Sequence, residues 1–120
     1  AAGADMASLA QAPFVDFDRR DDLQASWLRA HGVLDAPARH YVPASHDYAL
    51  AVRLGLGWGM LPTIQSAADL ADGHLVRLDG PRIPVALYWQ QWNLRSPLLD
   101  AIADEVVTEG RRVLAPDRRR

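Results

Sequence analysis

The chain has 120 residues, 49% of them hydrophobic and 23% charged, with 13 basic and 15 acidic side chains and a formal net charge of −2. That length holds one domain at most, and the composition is that of a folded globular chain rather than a disordered one. No apolar run reaches the roughly 18 residues of a membrane span and no leader pattern opens the chain, so a cytoplasmic protein is expected; the lack of cysteine excludes disulfides, thiolate metal sites and thiol nucleophiles.

Residues 1–12 are small and mostly Ala, a ragged helix with Met6, Leu9 and Ala10 on one side or a disordered lead-in. Phe14 to Phe17 reads as a short strand entered through Pro13 and broken by the cluster Asp18-Arg19-Arg20-Asp21-Asp22. A helix follows from about Asp22 to His31. Leu23, Trp27 and Ala30 fall at helical spacing, an Asp stands at the N-cap, and Gly32 is the left-handed stop. Arg39 to Ala44 is the next strand. Ser45 and Asp47 suit the start of a second helix to about Leu54, closed by Gly55. Gly57 to Leu61 is a third strand, ended by Pro62.

Ser66 is expected to cap a short helix through Ala71, and Leu75 to Leu78 to form a strand. Pro84 to about Trp92 reads as a longer strand, with Val85, Leu87 and Trp89 on one face and Ala86, Tyr88 and Gln90 on the other. Ser96-Pro97 opens the last helix, because Ser accepts from an orphan amide and Pro fits the first turn. Leu98, Leu99, Ile102, Val106 and Val113 form its apolar stripe, and it ends near Leu114. Residues 116–120 are a charged tail.

The order β-α-β-α-β-α-β-β-α means a parallel sheet with helices packed on its faces. Ligands in such sheets bind off the carboxyl ends of the strands, where helix starts point. That rule selects Asp18 to Asp22 and Ser45 to Asp47, either as a polar site or simply as caps and a solvated turn. The four histidines, His31, His40, His46 and His74, lack the spacing of a helical metal site. Gly55-Leu56-Gly57-Trp58-Gly59 follows a helix and opens a strand, the reverse of a dinucleotide loop. Gly55 there stops the helix, and the other glycines permit close backbone approach. Trp58 is placed to wall a pocket or to pack in the core. No nucleophile elbow exists, so no enzyme, catalytic residue, metal or cofactor is expected.

Three stretches carry a resemblance: Pro13 to Gln24 (PFVDFDRRDDLQ), Val52 to Pro62 (VRLGLGWGMLP) and Leu87 to Pro97 (LYWQQWNLRSP). They resemble LysR-type transcriptional regulators, and within them the lysine and arginine export regulators of the LysG/ArgP (IciA) group. Gly-x-Gly-x-x-x-x-Pro is the family-wide part of the pattern. The resemblance implies an α/β, periplasmic-binding-protein-like (type 2) effector domain, here incomplete. Residues 13–78 correspond to a partial second lobe, and residues 79–114 to the return into the first lobe with its C-terminal helix. The DNA-reading helix-turn-helix of such a regulator is not in this sequence, so the chain resembles a C-terminal fragment.

On that resemblance the effector is a basic amino acid, lysine or arginine, bound by Ser45, Asp47, Asp21, Asp22, Arg19 and Trp58, with DNA contacted only through the absent module. The alternative is a truncated interaction or oligomerisation fragment with no ligand or DNA binding of its own. In either case the last helix lacks most of the sheet it would cover. Homo-oligomerisation through that helix and the edge of strand 84–92 is expected.

Overall fold

The computed structural model describes residues 5–78 and 80–114; the first residues of the lead-in and the charged tail lie outside them. The chain divides into two compact units, 1–80 and 81–120.

In the first unit α1 (Met6–Leu9) is a single turn capped by Asp5, whose Oδ1 accepts from the Ser8 amide at 2.7 Å, and it buries Leu9. β1 (Phe14–Asp16) follows, then α2 (Leu23–Ala30), β2 (Arg39–Tyr41), α3 (Ser45–Arg53) and α4 (Thr63–Ala71). β1 and β2 pair in parallel, Phe14 with Arg39, Val15 with His40 and Asp16 with Tyr41. On its other edge β1 makes a single parallel bridge between Phe14 and Trp58. The third strand expected at 57–61 is thus present only as that bridge. The parallel arrangement is the one read from the alternation of elements.

β1 is the centre of the unit. Phe14, Val15 and Asp16 are all fully buried, and Ala25 and Leu28 of α2 and Tyr48 of α3 close over them. Gly32 and Gly55 end α2 and α3 at φ +85° and +82°, a region closed to most side chains. Gly57 serves a different need. A Cβ there would lie 2.7 Å from the Pro13 carbonyl oxygen, so glycine lets the 57–60 segment approach β1.

Ser66 does not cap a helix. α4 begins at Thr63, one turn earlier, and the buried Ser66 hydroxyl donates to the Pro62 carbonyl at 3.1 Å. Pro62 already supplies the break, so the helix starts as soon as the proline is passed. Leu75 to Leu78 is not a strand either; its backbone has no ladder partner among the described residues.

The second unit holds α5 (Pro97–Val113), opened as expected by Ser96, whose hydroxyl accepts from the Leu99 amide at 3.2 Å. Residues 84–92 do not form the expected strand. A strand is defined by its pairing, and these residues have none among those described. Val85, Leu87 and Trp92 are exposed, and no residue of α5 is buried.

Candidate functional site

The chain adds β2 to one edge of β1 and then returns to the other edge at Trp58. The direction of strand addition reverses at β1, and ligands in such sheets bind off the carboxyl ends of the strands. Two loops stand there: 17–22, leading into α2, and 42–44, leading into α3.

The 17–22 loop is built by its own carboxylates. Asp18 Oδ1 accepts from the amides of Arg20 and Asp21, at 2.8 and 3.2 Å. Asp21 Oδ2 accepts from the Phe17 amide at 2.9 Å, and its Oδ1 from the Leu23 amide at 3.2 Å. Asp21 is therefore the Asp that satisfies an amide at the start of α2. Asp22 makes no cap bond. It instead accepts from Ser26 Oγ at 2.6 Å and pairs with Arg29 at 2.8 Å, which hold its carboxyl below the ordinary carboxylate range. Arg19 reaches over the Tyr41 ring at the end of β2, 5.5 Å from its centroid.

At α3 the N-cap position belongs to Ala44, so Ser45 is the first helical residue and its hydroxyl caps nothing. The Ser45 carbonyl accepts from Gln65 Nε2 at 3.1 Å. Asp47 is an exposed acid in the first turn of α3 and is without an ion pair or side-chain hydrogen bond among the described residues. It also lines a shallow, open groove of about 490 Å³ along α3 with Leu50, Ala51 and Leu54.

Trp58 stands apart from these groups. It pairs with the first residue of β1 and packs against Phe14 and Trp27, at centroid separations of 5.7 and 5.6 Å. Its indole N–H is buried without a partner among the described residues. Of its two expected roles, packing is the one the structure displays. His31 closes α2: Nδ1 lies 2.7 Å from the Trp27 carbonyl and the ring stacks on Trp27 at 4.1 Å.

Beneath the rim lies polar chemistry that residue type and spacing left unmarked. Asp16 is fully buried, with Oδ2 3.4 Å from Arg39 Nη1 and Oδ1 unpartnered. Burial, and then the Asp21 charge, push its carboxyl up to about 6. Gln24 and Tyr48, also buried, meet at the Val15 carbonyl, each 2.7 Å from it. A polar residue ending a strand that is otherwise apolar was the one available signal for Asp16. For Tyr48 there was none, because tyrosine on a helix reads as core.

Residues 1–111 match the LysR substrate binding domain. The HTH-type transcriptional regulator LysG of Mycobacterium tuberculosis (strain ATCC 25618 / H37Rv) is 40% identical over 106 residues, which are 87% of this chain and 35% of that regulator. The C-terminal domains of a LysR family protein from Agrobacterium tumefaciens match at a TM-score of 0.80 and 35% identity, over 95% of this chain and 56% of that one. Full-length LysG from Corynebacterium glutamicum with bound effector Arg matches at 0.73 and 36% identity, over 89% and 36% of the two chains. The chain thus spans about a third of the length of the curated regulator it matches.

Proposed function

The chain belongs to the LysR substrate-binding-domain family, a periplasmic-binding-protein-like type 2 fold, and from that premise we propose that it is the effector-sensing portion of a cytoplasmic regulator that responds to lysine or arginine and controls amino-acid export. The observation that carries the reading is Asp47. It is the one carboxylate of the rim that the fold has not already spent, since Asp18, Asp21 and Asp22 are engaged by loop amides, Ser26 and Arg29. The start of α3 suits an amino-acid zwitterion: its free amides and the Ser45 hydroxyl for the α-carboxylate, and Asp47 for the α-ammonium. The side-chain cation then turns toward the loop of Asp21 and Asp22. Arg19 belongs to that loop, and the half-buried Trp58 supports the site from beside β1. The C. glutamicum LysG structure, which holds Arg as effector, is similar over most of this chain.

In the full regulator, DNA is contacted by another part of the protein, and α5 supplies the apolar face for self-association. The test is titration of L-arginine and L-lysine into the 15N-labelled chain. Shifts centred on 17–23 and 44–48 are expected. A folded chain that shows none at millimolar ligand overturns the reading in favour of an interaction fragment without effector affinity.

A further inference from the structure

The ladder between β1 and the 57–60 segment stops after one rung, and a side chain stops it. The Val15 amide donates to the Trp58 carbonyl at 2.8 Å, and the Trp58 amide donates to the Pro13 carbonyl at 3.2 Å. In a regular parallel pair the Met60 amide would next donate to the Val15 carbonyl. That carbonyl is instead taken by Tyr48 Oη and Gln24 Nε2, both at 2.7 Å. The Met60 amide is left facing the Tyr48 oxygen rather than the strand carbonyl.

A phenol from α3 has therefore replaced a rung of the sheet. The hydroxyl both gives and takes: its proton goes to Val15, and its oxygen accepts from Gln24 Nε2 at 2.7 Å. Burial pushes its pKa up to about 12, so it remains a donor across the physiological range. Gly59 leaves the room, since a Cβ at that position would collide with the Tyr48 hydroxyl.

We propose that Tyr48 is a positioning residue for the effector rim, holding the start of α3 in register with the Asp21 loop through a side-chain rung inserted between β1 and residues 58–60. The proposal rests on the effector reading given above. Tyr48 lies three residues after Ser45 and one after Asp47, less than a helical turn from both. Gln24 carries the link onward by contact: its Nε2, whose two protons go to Val15 and Tyr48, also lies 3.3 Å from Asp21 Oδ2, the oxygen that takes the Phe17 amide. The two loops of the rim are thus joined through two buried side chains, Tyr48 next to Asp47 and Gln24 against Asp21.

The rung is better suited to setting geometry than to adding stability. Without the hydroxyl, the Met60 amide can close directly onto the Val15 carbonyl, so most of the lost bonding is recovered while the spacing of the strands changes. Tyr48→Phe is therefore expected to keep its denaturation midpoint, to slow hydrogen exchange at the Met60 amide, and to weaken arginine binding at least tenfold. Gln24→Met cuts the same link at its other side chain and is expected to weaken arginine binding likewise. The double variant should be no weaker than the worse single one, since both remove one network. If Tyr48→Phe does not fold, Gln24→Met decides alone. Arginine affinity within twofold of the parent in the folded variant, or unchanged exchange at Met60, overturns the proposal. If the parent chain binds neither lysine nor arginine, the effector reading fails and the positioning role falls with it. A change in Met60 exchange would then mark the rung as structural only.

Discussion

Replacing Asp16 by Asn should stabilise the chain at neutral pH and leave it unchanged in acid. Asp16 is fully buried, its Oδ1 has no partner, and Arg39 stands 3.4 Å from Oδ2. Burial and the charges of Asp21 and Asp22 raise its carboxyl from 3.8 to about 6 against the pull of Arg39. About two pKa units correspond to about 3 kcal/mol between the protonation states. Between the unfolded and folded values the folded chain binds the extra proton, so this group's contribution to stability is fully present below pH 3.8 and is lost as pH rises through about 6. Asn keeps the shape without the charge.

Removing one partner of a buried pair ordinarily costs several kcal/mol, because the other is stranded. Arg39 is not stranded: its side chain is 36% exposed and rests on the Phe14 ring, 5.1 Å from the centroid. Urea denaturation at pH 7.5 should therefore show Asp16→Asn roughly 1–3 kcal/mol more stable than the parent, with the difference closing near pH 3.5. A variant less stable than the parent by more than about 1 kcal/mol at pH 7.5 would refute the reasoning, since the ion pair would then outweigh the desolvation it requires.

Gly57→Ala brings a Cβ to 2.7 Å from the Pro13 carbonyl oxygen, a backbone atom, and should cost about 1–3 kcal/mol in a thermal melt; a neutral result would mean that the 57–60 segment is free to shift. Asp47→Asn should weaken lysine and arginine binding tenfold or more by calorimetry, while Asp22→Asn, already paired with Arg29, should have the smaller effect; the reverse order would move the counter-charge to the α2 loop. Leu98, Ile102 and Val106 of α5 are 72%, 48% and 43% exposed, and covering such side chains is worth about 1.5–3 kcal/mol each. Light scattering at high micromolar concentration should accordingly show self-association that Ile102→Glu with Val106→Glu abolishes.

The helices were legible because their limits are local. Gly32 and Gly55 stop α2 and α3 by backbone geometry, and Ser96-Pro97 starts α5 by a hydrogen bond and a fixed φ. The parallel pairing of β1 with β2 followed from the alternation of elements. Side-chain alternation in residues 84–92 shows which faces a strand would present; it does not show that a partner exists, and the same holds for the apolar residues of 75–78. The rim was legible as a place and less so as a set of roles. Asp21 and Asp22 differ by one position, yet the first builds the loop and the second pairs with Arg29. Trp58 packs on Phe14 because Gly57 lets the backbone approach β1. Asp16, Gln24 and Tyr48 interact across separations of nine to 33 residues, through one strand carbonyl or one buried charge, and no local pattern encodes such meetings.

Residues 81–95 are exposed almost throughout, and Leu87, Trp92 and Leu94 stand 71%, 82% and 63% open to solvent. An extended, aromatic-rich backbone of this kind is what chaperones bind and proteases cut. Limited proteolysis of this chain should therefore cut first between residues 81 and 95, before any cleavage within β1 or α2.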